Sequence, residues 1–291
     1  MSTQISSIYN NYRPIYIGPS PDPFVLREIS ESPINHLIQL NSTSFNAFVQ
    51  YPITNLTFSI DDIDGIIQLV RGLAVLTCRD DKIIYIFSPK LHETIFIASL
   101  LYAFIENLVY GNLIEGVELI KSCKMPVKYL KIMRDLLKPI HIINSKSFFS
   151  NYYDTKVYSS HFQREFMNSE ALFQAYKSPH DDKYIKKISG IKTPKIAHEN
   201  GRKVPLPENW NIIEENKDFK TKLYIMVDVL DDKVKSNLSE FNKLKEEIGI
   251  QPIFNYTSTE GDWGSKEKDG EYAGLNFLGK AWKITLLKSL F

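Results

Sequence analysis

The stretch from Asn168 to Lys177 places the strictest limits on how the second half of the chain can fold. Its residues repeat with helical spacing, and Asn168 or Ser169 can cap the helix by accepting from the unpaired amides of the first turn. Glu170, Gln174 and Lys177 fall at i, i+4 and i+7, so a helix would place them on one face. Glu170 would lie in the first turn, where the helix dipole favours a negative charge.

This polar face has two interpretations. The apolar residues of the same stretch point elsewhere and can anchor the helix in a core: Leu172, Phe173 and Tyr176. A carboxylate, an amide and an amine on one face can form a reaction surface. They can equally form a solvated stripe, and spacing alone favours the stripe because Glu–Lys pairs are common on exposed helices. The choice therefore depends on the rest of the sequence.

The composition is that of a globular protein with a substantial core. The chain has 291 residues, enough for two domains or one large one, and 43% of them are hydrophobic. The formal net charge of +1 argues against bulk attraction to nucleic acid or to an anionic membrane. A local basic pocket stays open, because net charge says nothing about how the charges are distributed.

Cysteine usage and hydropathy predict a soluble protein of the cytoplasm. Cys78 and Cys123 fit no metal-ligand spacing and argue against a disulfide framework. The polar segment Met1–Arg13 lacks the apolar core of a signal peptide. The most apolar segment, Ile95–Tyr110, is shorter than a membrane span and carries Glu106, so we expect a buried core helix.

Residues 1–143 are predicted to form a separate α+β domain whose role the sequence does not define. Residues 1–44 are rich in Ser, Pro and Asn and predict a partly irregular arm. The predicted elements that follow are a strand at Leu56–Ile60, a helix at Asp61–Val70 ending at Gly72, a hairpin of Leu73–Cys78 with Lys82–Phe87, and helices at Thr94–Tyr110, Leu113–Cys123 and Pro126–Leu137. Scaffold, oligomer contact and partner recognition all stay open for this half.

Residues 144–291 are predicted to form a second, mostly helical domain, since the composition changes near residues 140 to 146. The predicted elements are a hairpin in Asp154–Phe162, the central helix, helices at Asp181–Ile188, Thr193–Gly201, Asn209–Lys235 and Asn237–Gly249, an extended piece at Pro252–Tyr256, a polar loop through residues 257–264 and 270–274, and a last helix at Phe277–Leu290. Four segments of this half carry reactive or recognition residues: Ser150–Tyr153, Glu170–Lys177, Gly201–Trp210 and Thr257–Asn276. Their presence within one domain favours a shared pocket.

The second half resembles the NADAR superfamily, whose bacterial prototype is the YbiA-type N-glycosidase. The resemblance rests on motifs in the family's order: Phe-x-Ser-Asn-Tyr at Phe148–Tyr152, Ser-Glu-x-x-Phe-Gln-Ala-x-Lys at Ser169–Lys177, Ala-x-x-x-Gly-Arg at Ala197–Arg202, the tryptophan Trp210, Asp-Trp-Gly at Asp262–Gly264 and Gly-x-Asn-x-Leu-Gly at Gly274–Gly279. Each motif is a weak signal alone, and the set is a strong one. The first half lies outside the match.

The resemblance implies a mostly helical domain with a small β element that hydrolyses an N-glycosidic bond without a metal or organic cofactor. The implied substrates are phosphoribosyl-aminopyrimidine intermediates of riboflavin synthesis, which would release ribose 5-phosphate. An alternative is removal of ADP-ribose from guanine in nucleic acid, so nucleic acid would be a partner only as a modified substrate. An alternative of another class is a nucleotide-binding or ADP-ribose-binding sensor without turnover.

The resemblance also implies roles for individual residues. Glu170 would be the catalytic carboxylate, because N-glycoside cleavage develops positive charge on the sugar and needs an activated water. Lys177 would protonate the leaving group, bind phosphate or attack the anomeric carbon. The implied substrate-binding residues are Asn151, Gln174, Arg202, Trp210, Asp262, Trp263, Gly264 and Asn276.

Several of these residues also have ordinary structural interpretations. Asn276 can cap the last helix, Arg202 can be a solvated residue after a helix, and Asp262 can form a turn. Trp263 can stack on a base or simply cover the core. The charged run Lys266–Glu271 departs from the family pattern, which bears on how a substrate would reach the loop that contains it.

Overall fold

The computed structural model describes residues 15–18, 34–40, 54–58, 60, 62–79, 83–88, 90–142, 145–208, 210, 222–256, 261–268 and 271–290. The chain divides into two compact units, which are described separately. The first comprises Met1–Pro139, Ile250–Pro252 and Ser289–Phe291, and the second comprises Ile140–Gly249 and Ile253–Lys288. Parts of several predicted features lie outside the described residues: most of the arm over residues 1–44, residues 211–221 of the helix predicted from Asn209, and residues 257–260 of the polar loop.

The first unit contains a parallel sheet of four strands. Its strands are β1 (Ile15–Gly18), β2 (Ile34–Leu40), β3 (Thr54–Phe58) and β4 (Ile83–Phe87), in the spatial order β1-β4-β2-β3. Every neighbouring pair is parallel. In β4, Ile84, Ile86 and Phe87 are fully buried, as expected for a continuous apolar run in a sheet covered on both faces.

Five described helices accompany this sheet. They are α1 (Ile63–Arg79), α2 (Leu91–Glu106), α3 (Tyr110–Gly116), α4 (Glu118–Ser122) and α5 (Val127–Leu136). Helix α2 is buried nearly all round, which confirms the predicted core helix, but it ends before Gly111 because Asn107 adopts the left-handed conformation that closes a helix. Among the described residues no single helix is long and apolar enough to cross a membrane, and only α2 and α3 together, bent by 115°, have the required length and composition.

The predicted hairpin of Leu73–Cys78 with Lys82–Phe87 is wrong. Leu73–Cys78 continues helix α1, and Gly72, predicted to end the helix, lies inside it. The buried residues recur at helical spacing along the whole element: Ile66, Leu69, Val70, Leu73, Ala74 and Thr77. The Thr77 hydroxyl donates to the carbonyl oxygens of Leu73 and Ala74, which satisfies this buried β-branched residue within the helix.

Within the partly irregular arm predicted over residues 1–44, the structure describes two strands, β1 and β2. Strand β2 occupies Ile34–Leu40 and pairs on both sides, with β3 and β4. Ile38 and Leu40 are fully buried. The prolines that suggested an irregular arm lie outside these strands, so proline content alone gave no information about the strand residues.

The second unit is mostly helical and contains three small two-stranded sheets among its described residues. Its strands are β5 (Ile140–Ile142), β6 (Val157–Ser159), β7 (Arg164–Phe166), β8 (Ile253–Asn255), β9 (Lys266–Lys268) and β10 (Glu271–Ala273). Its helices are α6 (Ser169–Ala175), α7 (Asp182–Ser189), α8 (Pro194–Gly201), α9 (Lys222–Ser236), α10 (Leu238–Ile248) and α11 (Phe277–Lys288). The hairpin of β6 and β7 confirms the predicted hairpin, although β7 extends it to Phe166. Strands β5 and β8 pair in parallel.

The charged segment Lys266–Lys268, predicted as part of a loop, forms strand β9 and pairs antiparallel with β10 (Glu271–Ala273). Lys268 is opposite Glu271, and Lys266 is opposite Ala273. Opposite charges in register favour such a pairing, which polarity alone did not reveal. Gly274 follows with a φ of +111°, and a side chain there would meet the Gly264 carbonyl oxygen at 2.5 Å.

The core of the second unit forms around Trp282, which is fully buried in α11. Its ring packs edge-on against Phe149 at a centroid distance of 5.0 Å and stacks with Phe241 at 6.4 Å. The fold class is α+β, with a predominantly helical second half and a separate α+β first half, as predicted. The other helices of this unit pack around this core, and a cavity lies beside α6.

Candidate functional site

A cavity of about 360 Å³ opens beside helix α6 in the second unit. Its polar lining comes from four separate segments of the chain, and aromatic side chains form much of the rest. The lining residues are Ser150, Asn151, Tyr152, Glu170, Phe173, Gln174, Lys177, His198, Trp210, Met226, Asn255, Trp263 and Leu278.

Helix α6 is held at its N-terminus by Asn168. The Asn168 Oδ1 accepts from the Ala171 amide at 2.8 Å, which confirms the predicted cap. The Asn168 Nδ2 donates to the carbonyl oxygens of Ile191 and Lys192 at 2.9 and 3.0 Å, so the cap also fixes the helix to the chain before α8. Leu172, on the other side of the helix, is fully buried in the core. Together these contacts direct Glu170 toward the cavity.

The Glu170 carboxylate is the centre of the site and accepts from three side chains. Its Oε1 accepts from Gln174 Nε2 at 2.6 Å and pairs with His198 Nδ1 at 2.9 Å. Its Oε2 accepts from Asn151 Nδ2 at 2.5 Å. Only 5% of Glu170 is exposed to solvent. The predicted solvated stripe is therefore excluded for this residue, and its charge is held by directed donors and by the helix N-terminus.

The contacts leave one acceptor position of the carboxylate available. Each carboxylate oxygen can accept two hydrogen bonds, and Oε1 already uses both. Oε2 accepts only the Asn151 bond among the described residues, so one lone pair of Oε2 can still accept from a water or a sugar hydroxyl. A carboxylate with an acceptor position open to a cavity can accept a proton or stabilise a nearby cation.

Lys177 lines the cavity, although helix α6 ends before it at Ala175. Its Nζ donates to the Gly201 carbonyl oxygen at 3.1 Å and lies 5.7 Å from the centre of the Trp210 ring. Burial lowers the pKa of the Lys177 amine, the charge of Arg202 lowers it further, and Glu170 opposes both. The amine is therefore easier to deprotonate than an exposed lysine.

Tyr152 and His198 form the mouth of the site beside the carboxylate. Their rings lie 6.3 Å apart, edge to face, and the side chain of His198 is 44% exposed. Burial, followed by the charges of Glu170 and Glu199, raises the pKa of Tyr152 to about 12. The Tyr152 phenol is therefore neutral at physiological pH and can donate a hydrogen bond.

Aromatic side chains form an apolar wall opposite the polar groups. Phe173 packs at 5.3 Å against Trp210 and edge-on at 5.1 Å against Trp263. Trp263 also meets Phe277 edge-on at 5.9 Å. A wall of flat rings beside a carboxylate and an amine suits a ligand with a planar ring and a polar sugar.

The structure brings together six of the ten predicted site residues and leaves four outside the cavity lining. The six are Asn151, Glu170, Gln174, Lys177, Trp210 and Trp263, and the four are Arg202, Asp262, Gly264 and Asn276. Of the four, Arg202 is an exposed residue just after α8, and the exposed Asp262 pairs with Lys222. Neither the exposure of Arg202 nor the ion pair of Asp262 indicates a ligand at these residues.

Asn276 and Gly264 support the wall instead of lining it. The Asn276 Oδ1 accepts from the Asn255 amide at 3.0 Å, and its Nδ2 donates to the Ile253 carbonyl oxygen at 2.9 Å. Its side chain therefore binds β8, while its backbone oxygen accepts from the Lys280 amide at 3.0 Å at the start of α11. The Gly264 carbonyl oxygen accepts from the Asn276 amide at 3.3 Å. These bonds hold Asn255, which does line the cavity.

Sequence reasoning missed His198, Tyr152 and Asn255 as site residues. His198 lies within the Ala197–Arg202 motif, but nothing in that motif distinguishes it from the polar residues on either side. Its contact with Glu170 depends on how α8 packs against α6. Within the described ranges, no group of three or more His, Cys, Asp or Glu residues could hold a metal ion.

The fold and the site together define an α+β protein with a buried, donor-held carboxylate in a ligand-sized cavity. No protein-family model and no curated protein matches the sequence. Among solved structures, the chain is similar to the NMR structure of the E. coli protein YbiA, with 24% identity, a TM-score of 0.42, and coverage of 53% of this chain and 84% of that one. It is also similar to a putative protein tyrosine phosphatase from Leishmania major, with 13% identity, a TM-score of 0.36, and coverage of 46% of this chain and 96% of that one.

Proposed function

We propose that the second half of the chain hydrolyses the N-glycosidic bond of a phosphoribosyl-aminopyrimidine and releases ribose 5-phosphate. One observation carries the proposal: the Glu170 carboxylate lies in the cavity, is 5% exposed, and is held in place by hydrogen bonds from three side chains. The motif resemblance described above implies the same reaction class. The substrate is a phosphorylated small molecule, so we place the reaction in the cytoplasm.

The chemistry of the bond matches this carboxylate. As the C–N bond breaks, its electron pair leaves with the nitrogen and positive charge develops on the ribose ring. A carboxylate beside the anomeric carbon stabilises that charge, and the remaining lone pair of Glu170 Oε2 can accept a proton from the attacking water. The water oxygen then forms the new bond to the anomeric carbon, and the departing nitrogen takes up a proton.

Lys177 is the proposed donor of that proton. Its Nζ lies 5.7 Å from the centre of the Trp210 ring, on the side of the cavity where a flat base would stack. Burial lowers the pKa of its amine, which makes the ammonium a stronger acid than an exposed lysine. Asn151, which contacts Glu170 Oε2, is proposed to lie beside the ribose hydroxyls. In this arrangement Arg202 acts through its charge on Lys177.

The size of the cavity favours the aminopyrimidine nucleotide over ADP-ribosylated nucleic acid. A volume of about 360 Å³ lies near the lower end of the range of roughly 300 to 1,000 Å³ typical of ligand pockets. Such a volume suits a mononucleotide better than a dinucleotide joined to a polymer. The wall formed by Phe173, Trp210 and Trp263 provides the flat surface that a pyrimidine would need.

The test is release of ribose 5-phosphate from the phosphoribosyl-aminopyrimidine by the full chain. Replacing Glu170 with Gln should lower kcat by roughly 10²- to 10⁴-fold while ligand binding persists. Glu199→Gln is the matched control, because Glu199 is an exposed carboxylate on α8 and should retain wild-type turnover.

Two other outcomes would refute the proposal in different ways. Cleavage of ADP-ribosylated guanosine oligonucleotides, with no cleavage of the phosphoribosyl-aminopyrimidine, would assign the other reaction. Binding of these ligands without cleavage of either one would make the second half a binding module.

A further inference from the structure

The segment Phe148–Asn151 carries a cavity residue but belongs to no helix or strand, so its carbonyl groups need partners elsewhere. Side chains from three helices provide them. Lys233 Nζ donates to the Phe148 and Ser150 oxygens at 2.5 and 2.9 Å. Trp282 Nε1 donates to the Phe149 oxygen at 2.6 Å. The hydroxyl of Ser169 donates to the Asn151 oxygen at 3.1 Å, so four consecutive carbonyls are held by side chains.

Burying the Lys233 side chain costs free energy, because its amine loses contact with water. It is fully buried in α9, and no carboxylate lies within ion-pair distance of it among the described residues. Its Nζ lies 4.8 Å from the centre of the Phe148 ring, 5.3 Å from that of Tyr153 and 5.6 Å from that of Trp282. A buried amine without a carboxylate partner is destabilising compared with an apolar side chain of similar length, so packing does not explain its presence.

The two bonds of Lys233 act on the residue that contacts Glu170. They hold the carbonyls of Phe148 and Ser150, and Ser150 directly precedes Asn151. Asn151 Nδ2 in turn donates to Glu170 Oε2 at 2.5 Å. A lysine Nζ carries two N–H groups even when it is neutral, so both bonds persist in either protonation state.

We propose that Lys233 is a positioning residue for the candidate active site: by holding the carbonyls of Phe148 and Ser150, it fixes the turn that presents Asn151 to Glu170. The expected effect of Lys233 on kcat rests on the proposed function. Its expected effect on the position of Asn151 does not depend on that function. An apolar residue at this position would remove the described donor of the Phe148 carbonyl and leave the Ser150 carbonyl with the Tyr153 amide, at 3.2 Å, so the turn would move to restore the lost bond.

The kinetic test compares Lys233→Met with Lys235→Met, which removes an exposed lysine from the same helix. With phosphoribosyl-aminopyrimidine as substrate, Lys233→Met should lower kcat by roughly tenfold to a hundredfold, because misplacing a group by about 1 Å costs that much, while KM changes little. Restoring the amine should recover the rate: Lys233→Cys converted to thialysine with bromoethylamine, with wild type treated in parallel. A kcat of Lys233→Met equal to that of Lys235→Met would overturn the inference.

A second readout separates this inference from the proposed function. The side-chain amide of Asn151 should give a strongly shifted ¹H–¹⁵N signal because of its short bond to a carboxylate, and Asn151→Ala identifies that signal. Lys233→Met, or Lys233→Gln if the Met variant does not fold, should move the signal toward that of a free amide. An unchanged signal would overturn the inference even in the absence of turnover. A shifted signal in a chain that cleaves neither substrate would support the positioning role and refute the N-glycosidase proposal alone.

Discussion

Gly201, the last residue of α8, packs against the Gln174 side chain that holds Glu170. A methyl group added at Gly201 would lie 1.9 Å from Gln174 Oε1, 2.4 Å from its Cδ and 2.7 Å from its Cγ. All three separations are below any real carbon contact, so Gln174 must move in the Gly201→Ala variant. Its Nε2 donates to Glu170 Oε1 at 2.6 Å, so the movement would break one of the three bonds to the carboxylate.

Two opposing effects set the expected change in stability for Gly201→Ala. Alanine is favoured over glycine in a helix by about 0.5 to 1 kcal/mol, and Gly201 has no positive φ that would penalise alanine. Overpacking costs about 1 to 3 kcal/mol, and losing a hydrogen bond to a charged group costs about 1.5 to 3 kcal/mol. The unfavourable effects are larger, so we expect Gly201→Ala to lower the free energy of unfolding by about 1.5 to 5.5 kcal/mol.

Urea unfolding provides the measurement, and Gly190→Ala is its matched control. Gly190 follows α7, and an added methyl group there would have only the Lys187 carbonyl oxygen near it, at 3.9 Å. Gly190→Ala should therefore be neutral or slightly stabilising. The double variant Gly201→Ala with Gln174→Ala should lose less stability than the sum of the two single changes, because the clash disappears. Equal or greater stability of Gly201→Ala relative to wild type would refute the reasoning.

Two further predictions concern residues outside the site. Gly72→Ala should raise the free energy of unfolding of the first unit by about 0.5 to 1 kcal/mol, since Gly72 lies inside α1 with open space around it, and a loss in urea unfolding would contradict the helical assignment. Burial lowers the pKa of Lys283 to about 7, so between pH 7 and the ordinary lysine pKa the unfolded chain binds more protons than the folded one. Wild-type stability relative to Lys283→Met should therefore rise from pH 7 to pH 9, by roughly 1 kcal/mol per pH unit, and a difference independent of pH would exclude a lowered pKa.

The parts of the fold that depend on local sequence were predictable. The cap at Asn168 and the placement of α6 follow from residues within one turn of each other. The second half of helix α1 was missed because Gly72 was treated as the helix end, although the buried pattern continues through Leu73 and Thr77. Glycine lowers helix propensity without excluding a helix. The helical repeat of apolar residues continues on both sides of Gly72 and is the better guide to the assignment.

The site was only partly predictable, because its assembly depends on packing between distant segments. Asn151, Glu170 and Gln174 were placed together through motifs, and the structure brings them within hydrogen-bond distance. His198 contacts the same carboxylate from α8, 28 positions along the chain, which no local pattern reveals. Lys233 follows an apolar stripe in α9, and from the sequence alone it would be assigned to the surface like most lysines. Its burial is explained only by the carbonyls of Phe148 and Ser150, which its amine binds.

The hydrogen-bond network around Glu170 leaves buried acceptor atoms without partners among the described residues. Asn151 and Gln174 both use their amide N–H groups on the carboxylate, which leaves Asn151 Oδ1 and Gln174 Oε1 buried without a hydrogen-bond donor among the described residues. Each buried acceptor without a partner costs about 1 to 3 kcal/mol. A network that served stability alone would do better with apolar side chains of the same shape. The two amides therefore fix the Glu170 carboxylate in one position, and their unsatisfied oxygens are the stability cost of holding it there.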